Sequence, residues 1–423
     1  MKNNLIKLFP SNFKGEVSVP SSKSFTHRAL IAAALASGES ILENVNLSED
    51  IEATIHALES IGARFTIKNN IIVVKGTKKI KIGKEIINCN ESGSTLRFMI
   101  PLLSLSNKEV RFTGKESLLK RPMDIYKDIF QKSNATFTTN SKEIVVNGSI
   151  KPNIYKINGN ISSQFITGLL FVLPLLDSES KIVIIGKFES KSYVNLTIQT
   201  LKSFGIIVQE TDDGYLIPGK QKYRPTRYKI EGDYSQAAFF LVGGVLNGSV
   251  KCSNLDLESL QGDAQIIDII QSMGGKIIFN DDSLVTIKSD LKGSTIDISN
   301  CPDLGPIVAL LGAFAKGSTH IINAGRLRLK ESDRIQSTVE TLSKLGATIK
   351  AEDDRIIIYG KKELKGGVTV DSYNDHRISM MVSIAASLSE KPVTLSKANA
   401  VNKSYPTFYK DYSIIGGKYQ IKE

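Results

Sequence analysis

Six points along the 423-residue chain mark the same local event at a near-constant interval, which requires a repeat architecture. At each one a β-rich run ends, a small or polar residue opens a helix, and an apolar segment follows. The openings fall at Ser21 (VSVP-SSKSF), Ser92 (INCN-ESGST), Ser162 (INGN-ISSQF), Asp233 (KIEG-DYSQA), Asp303 (DISNC-PDLGP) and Asn374 (VDSY-NDHRI), with spacings of 71, 70, 71, 70 and 71 residues. A chain of this length exceeds one hydrophobic core, so the units are expected to divide among two or three domains. The phase of the period also points to ligands, because helix N-termini attract anions.

Each unit holds two predicted helices. The first is apolar on nearly every side, as in ALIAAALA (29–36), FITGLLFVLPLL (165–176), AAFFLVGGVL (237–246), PIVALLGAFA (306–315) and ISMMVSIAASL (378–388), and such a helix is buried. The second is amphipathic, and Gly62, Gly205, Gly274 and Gly346, with Asn134 as the tolerated substitute, fit left-handed caps at its end. Two short strands follow, as in ARFTIKNNIIVVKG, so the unit reads βαβαββ. The sixth unit runs out of chain with one closing strand (KYQI), whereas NLIKLF (4–9) and EVSV (16–19) have no preceding unit. The expectation is one domain of residues 1–20 plus 232–423, completed by the N-terminus, and another of 21–231. Counting on 28–30 residues from each opening reaches Asp50, Arg121, Ser190, Asp263, Glu331 and Lys403, a predicted second row of helix starts.

Composition narrows the function. The hydrophobic fraction of 41% and charged fraction of 23% fit a globular chain. No run reaches ~18 apolar residues, the N-terminus lacks an apolar signal core, and a cytoplasmic, non-membrane protein is expected. Cys89, Cys252 and Cys301 show no CxxC spacing, and His27, His56, His320 and His376 form no cluster, so neither disulfide framework nor metal site is suggested. A net charge of +11 suits nucleic acid, an anionic membrane or an anionic small molecule. Only 12 residues are arginine, yet Arg28, Arg97, Arg121, Arg326, Arg328, Arg334 and Arg377 all lie in the helix-opening segments. Arginine suits bidentate binding of phosphate and carboxylate, which favours a compact polyanion over a nucleic-acid stripe with interleaved aromatics.

Several segments offer the chemistry. Ser21-Ser22-Lys23-Ser24 with Arg28 reads equally as a phosphate site or as a serine cap with two solvated bases. Gly93, in Glu91–Arg97, allows close backbone approach but lacks the P-loop pattern. Lys120-Arg121-Pro122 sets a base before an N1 proline. Ser162-Ser163-Gln164 is a third polar helix entry, and Ser190 and Tyr193 carry weaker signals. Arg326–Arg334 crowds four bases at a helix N-terminus, where cations are disfavoured and a bound polyanion would account for them. Glu331 amid Lys330 and Arg334 suits general acid–base work. Asp303 reads equally as cap or catalyst, and Asn374–Arg377 and Lys403 complete the set.

Taken in order, SxKSxxHR (21–28), SGSTLR (92–97), KRP (120–122), SSQF (162–165), EGD (231–233), LRLKESDR (327–334), NDHR (374–377) and NKSYP (402–406) resemble the 5-enolpyruvylshikimate-3-phosphate synthases. KESDR together with NDHR is the specific part. The resemblance implies an α/β fold, a two-domain inside-out α/β barrel (prism) of three βαβαββ repeats per domain, with the active site in the cleft between them. It implies enolpyruvyl transfer from phosphoenolpyruvate to the 5-hydroxyl of shikimate 3-phosphate, with release of phosphate, on the pathway to chorismate and aromatic amino acids. It further implies a monomer with no cofactor, no metal and no nucleic-acid or membrane partner. Carried over by position, Lys23, Ser24, Arg28, Ser162, Ser163, Gln164, Ser190, Tyr193, Asp303 and Lys330 would hold shikimate 3-phosphate. Lys23, Gly93, Arg121, Gln164, Arg334, Arg377 and Lys403 would hold phosphoenolpyruvate. Asp303, Glu331 and Lys23 would be catalytic, Asp303 taking the hydroxyl proton and Glu331 exchanging one with the methylene carbon.

Three positions depart from the family's common pattern: Ser94 stands in place of Thr, Phe98 in place of Pro, and Arg326 in place of an Asn found in some members. The nearest rival is a UDP-N-acetylglucosamine enolpyruvyl transferase, which typically carries a Cys on the loop matching 113–122, where this chain has none. A basic repeat protein that binds nucleic acid is the rival from another class, and it has no use for Glu331 and Asp303 among the arginines.

Overall fold

In the computed structural model, which describes residues 5–83 and 86–422, side-chain caps open five of the six buried helices. Ser22, Ser92, Ser162, Asp233 and Asp375 accept backbone N–H groups at the starts of Lys23–Leu35, Gly93–Ser104, Ser163–Val172, Tyr234–Asn247 and His376–Ser387. Two predicted openings move by one residue. Ser21 instead exchanges hydrogen bonds with Asn46 (2.8 and 2.9 Å), and Asn374 takes a left-handed φ of 54° before the cap. The sixth helix, Gly305–Ala313, has no side-chain cap; Asp303 sits before it in the 3₁₀ turn Pro302–Leu304. Every residue of Tyr234–Leu246 and of Gly305–Ala313 is buried, because neither helix has a polar face to offer water.

The second helices are Glu49–Glu59, Asp124–Lys132, Lys191–Ser203, Ile266–Ser272, Arg334–Leu345 and Phe408–Ile414. Each is followed by a left-handed residue, with φ of 93° at Gly62, 55° at Asn134, 79° at Gly205, 92° at Gly274, 104° at Gly346 and 96° at Gly416. That conformation turns the chain back into the following strand. The predicted second row of helix starts is less regular. Asp50 lies in a first turn and Ser190 at a cap position, whereas Asp263 lies in the 3₁₀ turn Gly262–Gln265. Arg121, Glu331 and Lys403 lie three to five residues upstream of regular helix. Pro122 is accordingly not an N1 proline: the short helix Glu116–Leu119 ends first, and Met123 occupies the cap position of the next.

The chain divides into two compact units, residues up to Pro20 with Glu231 onward, and Ser21–Ile230. Glu231 belongs to the first because its carboxylate accepts hydrogen bonds from Ser259 and Gln261 there. Each unit has its own core and three four-stranded sheets of one design, in which a parallel pair is extended by two antiparallel strands. In the unit Ser21–Ile230, the parallel pairs are Arg227–Lys229 with Glu39–Glu43, Ile86–Asn88 with Val110–Thr113, and Ile154–Asn158 with Ser180–Ile185. In the other they are Phe13–Ser18 with Gly248–Ser253, Thr295–Asp297 with Ser318–Ile322, and Thr369–Asp371 with Val393–Ser396. The strand Leu5–Phe9 lies between Val393–Ser396 and Lys418–Lys422, antiparallel to both.

Leu8 on that strand is fully buried. Leu8→Ala is expected to destabilise the protein by about 2–5 kcal/mol, because it removes core contacts and leaves a cavity. A denaturant midpoint unchanged from wild type would show that the N-terminal strand is dispensable.

Candidate active site

In the unit that contains residues 231–422, the helix starts meet. Arg334 is 1% exposed and binds three carboxylates. Its Nε donates to Asp375 Oδ2 (2.8 Å), Nη2 to Glu331 Oε2 (2.6 Å) and Asp375 Oδ1 (3.2 Å), and Nη1 to Asp303 Oδ1 (3.0 Å). Asp303 also accepts from Lys330 Nζ (2.9 Å) and from Arg377 Nη2 (2.8 Å). Three cations thus face three carboxylates, with Asp303 on the solvent side at 19% side-chain exposure. Burial pushes the Asp303 carboxyl up, but Arg377, Lys330 and Arg334 outweigh it and hold the group well below the ordinary carboxylate range. Burial lowers the Lys330 ammonium despite Asp303. Burial opposes the charge of Arg334 too, yet Asp375, Glu331 and Asp303 raise its pKa overall. Lys403, buried at the end of the 3₁₀ turn Ala398–Lys403, donates to the carbonyl of Asn374, next to Asp375.

The unit Ser21–Ile230 gathers a second cluster. Gly93, Ser94 and Arg97 open one buried helix and Ser162, Ser163 and Gln164 another, and the two meet through Gln164. Its Oε1 accepts from Arg97 Nη1 (2.7 Å), and its Nε2 donates to Ser94 Oγ (3.0 Å). Arg121 lies over the glycine so closely that a Cβ on Gly93 would sit 2.6 Å from its Nη1. Beside this group, Lys23 pairs with Asp50 (2.8 Å). Arg28 donates to Thr197 Oγ1 (2.8 Å) and to the carbonyls of Ser24 (2.6 Å) and Tyr193 (2.9 Å). Burial pushes the Arg28 guanidinium down to about 10, still charged at neutral pH. Its guanidinium also lies 5.5 Å from the centre of the Phe98 ring, a cation–π contact. Ser190 is buried with a left-handed φ of 54° and precedes the helix that carries Tyr193 and Thr197.

The structure therefore gathers Asp303, Lys330, Glu331, Arg334 and Arg377 in one unit, with Lys403 alongside. In the other it gathers Gly93, Arg121 and Gln164 in one group and Lys23, Ser24, Arg28, Ser190 and Tyr193 in the next. Arg328 does not join them, since it binds Asp333 and the carbonyls of Glu352 and Asp353 on an exposed face. Sequence reasoning gave no role to Asp375, Arg97, Asp50 or Thr197. Asp375 and Arg97 lie inside the motifs quoted above, and a carboxylate at a cap position beside arginines was the available signal for Asp375. Thr197 had none, because a threonine within an amphipathic helix reads as filler.

Residues 9–412 match the family model for EPSP synthase (3-phosphoshikimate 1-carboxyvinyltransferase). A 3-phosphoshikimate 1-carboxyvinyltransferase of Clostridium novyi (strain NT) is 47% identical over 424 residues, covering 97% of each chain. The chain belongs to the EPSP synthase family. A second member, the 3-phosphoshikimate 1-carboxyvinyltransferase of Clostridioides difficile (strain 630), is 42% identical over 98% of each chain. Among solved structures, EPSP synthase from Acinetobacter baumannii superposes with a TM-score of 0.84 at 24% identity, covering 99% of this chain and 100% of that one. The enolpyruvyl transferase NikO from Streptomyces tendae gives 0.81 at 16% identity over 99% of each. These likenesses establish the two-domain α/β fold of the family, and its members are enzymes of enolpyruvyl transfer.

The charge balance around Asp303 has a measurable consequence. A carboxylate whose pKa is depressed by folding stabilises the native state above its unfolded value, about 3.9, and loses that contribution as pH falls through the lower folded value. Asp303→Asn is expected to be less stable than wild type at pH 7, where three cations lose their shared partner. It should also lose less stability than wild type on acidification below about pH 4. Parallel pH–stability curves for the two proteins would show that the ion cluster is not coupled to folding.

Proposed function

We propose that the protein transfers the enolpyruvyl group of phosphoenolpyruvate to the 5-hydroxyl of shikimate 3-phosphate by addition–elimination, with residues of both clusters binding the substrates. The observation that carries the reading is Asp303: a partly solvent-facing carboxylate held ionised by Lys330, Arg334 and Arg377, with Glu331 on the same arginine. In that state it is a weak base. Anionic substrates that take hydrogen bonds from the three cations relax their pull on Asp303, so its proton affinity rises as the site fills. Asp303 then accepts the 5-hydroxyl proton while the oxygen bonds to C2 of phosphoenolpyruvate and Glu331 protonates the methylene carbon. The tetrahedral intermediate collapses as the bond from C2 to the phosphate oxygen breaks, Glu331 takes a proton back from the methyl group, and the proton held by Asp303 passes to the departing phosphate.

Lys23, Ser24, Arg28, Ser162, Ser163, Gln164, Ser190, Tyr193, Asp303 and Lys330 hold shikimate 3-phosphate on this reading. Lys23, Gly93, Arg121, Gln164, Arg334, Arg377 and Lys403 hold phosphoenolpyruvate. Two substrates bring phosphates and carboxylates, which the lysines and arginines match. Fixed cations and alignment provide much of the rate enhancement. The buried unpaired thiols of Cys89, Cys252 and Cys301 suit a reducing cytoplasm, and two cores closed within one chain suit a monomer.

Phosphate release from phosphoenolpyruvate is the direct test. It is expected with shikimate 3-phosphate as acceptor and not with UDP-N-acetylglucosamine; the reverse result would sink the proposal. Glu331→Gln is expected to keep the fold and lose about 10²–10⁴-fold in turnover, the usual worth of one general acid–base group. Near-normal turnover of that variant would remove Glu331 from the chemistry.

A further inference from the structure

The segment Glu231-Gly232-Asp233 has no part in the chemistry above, yet the helix it opens reaches the arginines of the site. Asp233 satisfies the start of that helix by itself, its Oδ1 accepting the N–H groups of Ser235 (2.9 Å) and Gln236 (3.3 Å). The Ser235 hydroxyl is not needed for the cap. It donates to the same Oδ1 at 2.5 Å, and with its proton committed there its oxygen accepts from Arg377 Nη2 at 3.0 Å. The Ser235 carbonyl accepts from Arg377 Nη1 at 3.4 Å. From the other side, Asp303 Oδ2 holds the same Nη2 at 2.8 Å. Ser235 is 5% exposed and Arg377 3%, so water does not compete freely for either group. Asp233, Ser235, Arg377 and Asp303 thus form one hydrogen-bonded line across the starts of three helices. A carboxylate behind the hydroxyl strengthens its oxygen as an acceptor, because hydrogen bonds in a chain polarise one another.

We infer that Ser235 is a positioning residue for phosphoenolpyruvate: it fixes the guanidinium plane of Arg377 in the orientation that faces Asp303. The inference rests on the assignment of Arg377 to phosphoenolpyruvate proposed above. Guanidinium recognition of a carboxylate or phosphate depends on a planar fork held in place. A fork free to turn must be ordered when ligand binds, and affinity falls accordingly.

Ser235→Ala removes the oxygen and leaves the Asp233 cap on the backbone intact. The KM for phosphoenolpyruvate should rise about tenfold, the worth of one hydrogen bond to a charged group. The KM for shikimate 3-phosphate should stay within about twofold, and the thermal midpoint near wild type. Ser235→Cys, close in shape but with a weak acceptor, should show the same selective rise, and it carries the test if the alanine variant fails to fold. A phosphoenolpyruvate KM within about twofold of wild type in the folded variants, or equal rises in both KM values, would overturn the positioning role. Wild-type protein inert with both substrates would instead remove the reaction on which the inference rests.

Discussion

In each unit, helices that are apolar on every side pack together with their N-termini at one end, and the charge accumulated there governs the rest. Arg377 touches both Ser235 and Asp303, so three successive helix starts are joined, while at the opposite end Asn247 Nδ2 reaches the carbonyl of Ser387. In the other unit Ser94 meets Gln164, and Arg28 and Phe98, each about a turn into its helix, meet face to charge. Aligned dipoles of one sign repel, so hydrogen-bond acceptors and negative charge are favoured at these ends. The units answer differently. Carboxylates do it in one: Asp233 and Asp375 cap, and Asp303 stands before the uncapped helix. In the other the caps are the neutral hydroxyls of Ser22, Ser92 and Ser162, with Lys23, Arg28, Arg97 and Arg121 close by.

That difference divides the labour of the proposed reaction. In the serine-capped cluster Lys23 pairs with Asp50 and Lys115 with Glu91, and the neutral caps add no negative charge, which suits its lysines and arginines to anionic groups. The carboxylate-rich cluster balances its own charges and has groups that can accept and donate protons. Arg334 is central to it because a guanidinium stays charged when buried, whereas Lys330, which burial does depress, lies at the more exposed edge. Asp375 costs the site nothing in reactivity, since it is fully buried and committed to Arg334, Ser332 and the cap. Its value is to hold the arginine where Asp303 and Glu331 need it.

The repeat period was legible because it depends on local rules: apolar runs at helical length, small or acidic openings, and left-handed residues at the ends of the second helices. Those six ends came out with positive φ because each short connection must reverse the chain at once. The second row of openings was less legible. Arg121, Glu331 and Lys403 sit in turns before the helices, where regular hydrogen bonding has not begun, and no propensity marks such a turn. Most of the charged members of the clusters could be named because Lys330-Glu331-Ser332-Asp333-Arg334 and Asn374-Asp375-His376-Arg377 are dense in ionisable groups. Their pairings could not be named. That Arg334 takes Asp375 across 41 residues, and Arg377 takes Ser235 across 142, follows from which helix starts are neighbours in space.

Strand order makes the two units unequal in how they can form. Phe13–Ser18 immediately precedes the helix Lys23–Leu35 yet pairs with Gly248–Ser253, while Arg227–Lys229 precedes Tyr234–Asn247 yet pairs with Glu39–Glu43. The unit Ser21–Ile230 is contiguous and finds its last strand within its own span. The other unit needs the chain's first two strands, one of which becomes the central strand between Val393–Ser396 and Lys418–Lys422. Two of its sheets close only across the span Ser21–Ile230, about half of the sequence, and the entropy of closing so long a loop is met only by contacts formed at the end. The unit with the carboxylate-rich cluster is therefore the later one to become complete. The N-terminal strands act as its fastening, which ties the geometry of Asp303, Glu331 and Arg334 to a segment more than 280 residues away in sequence.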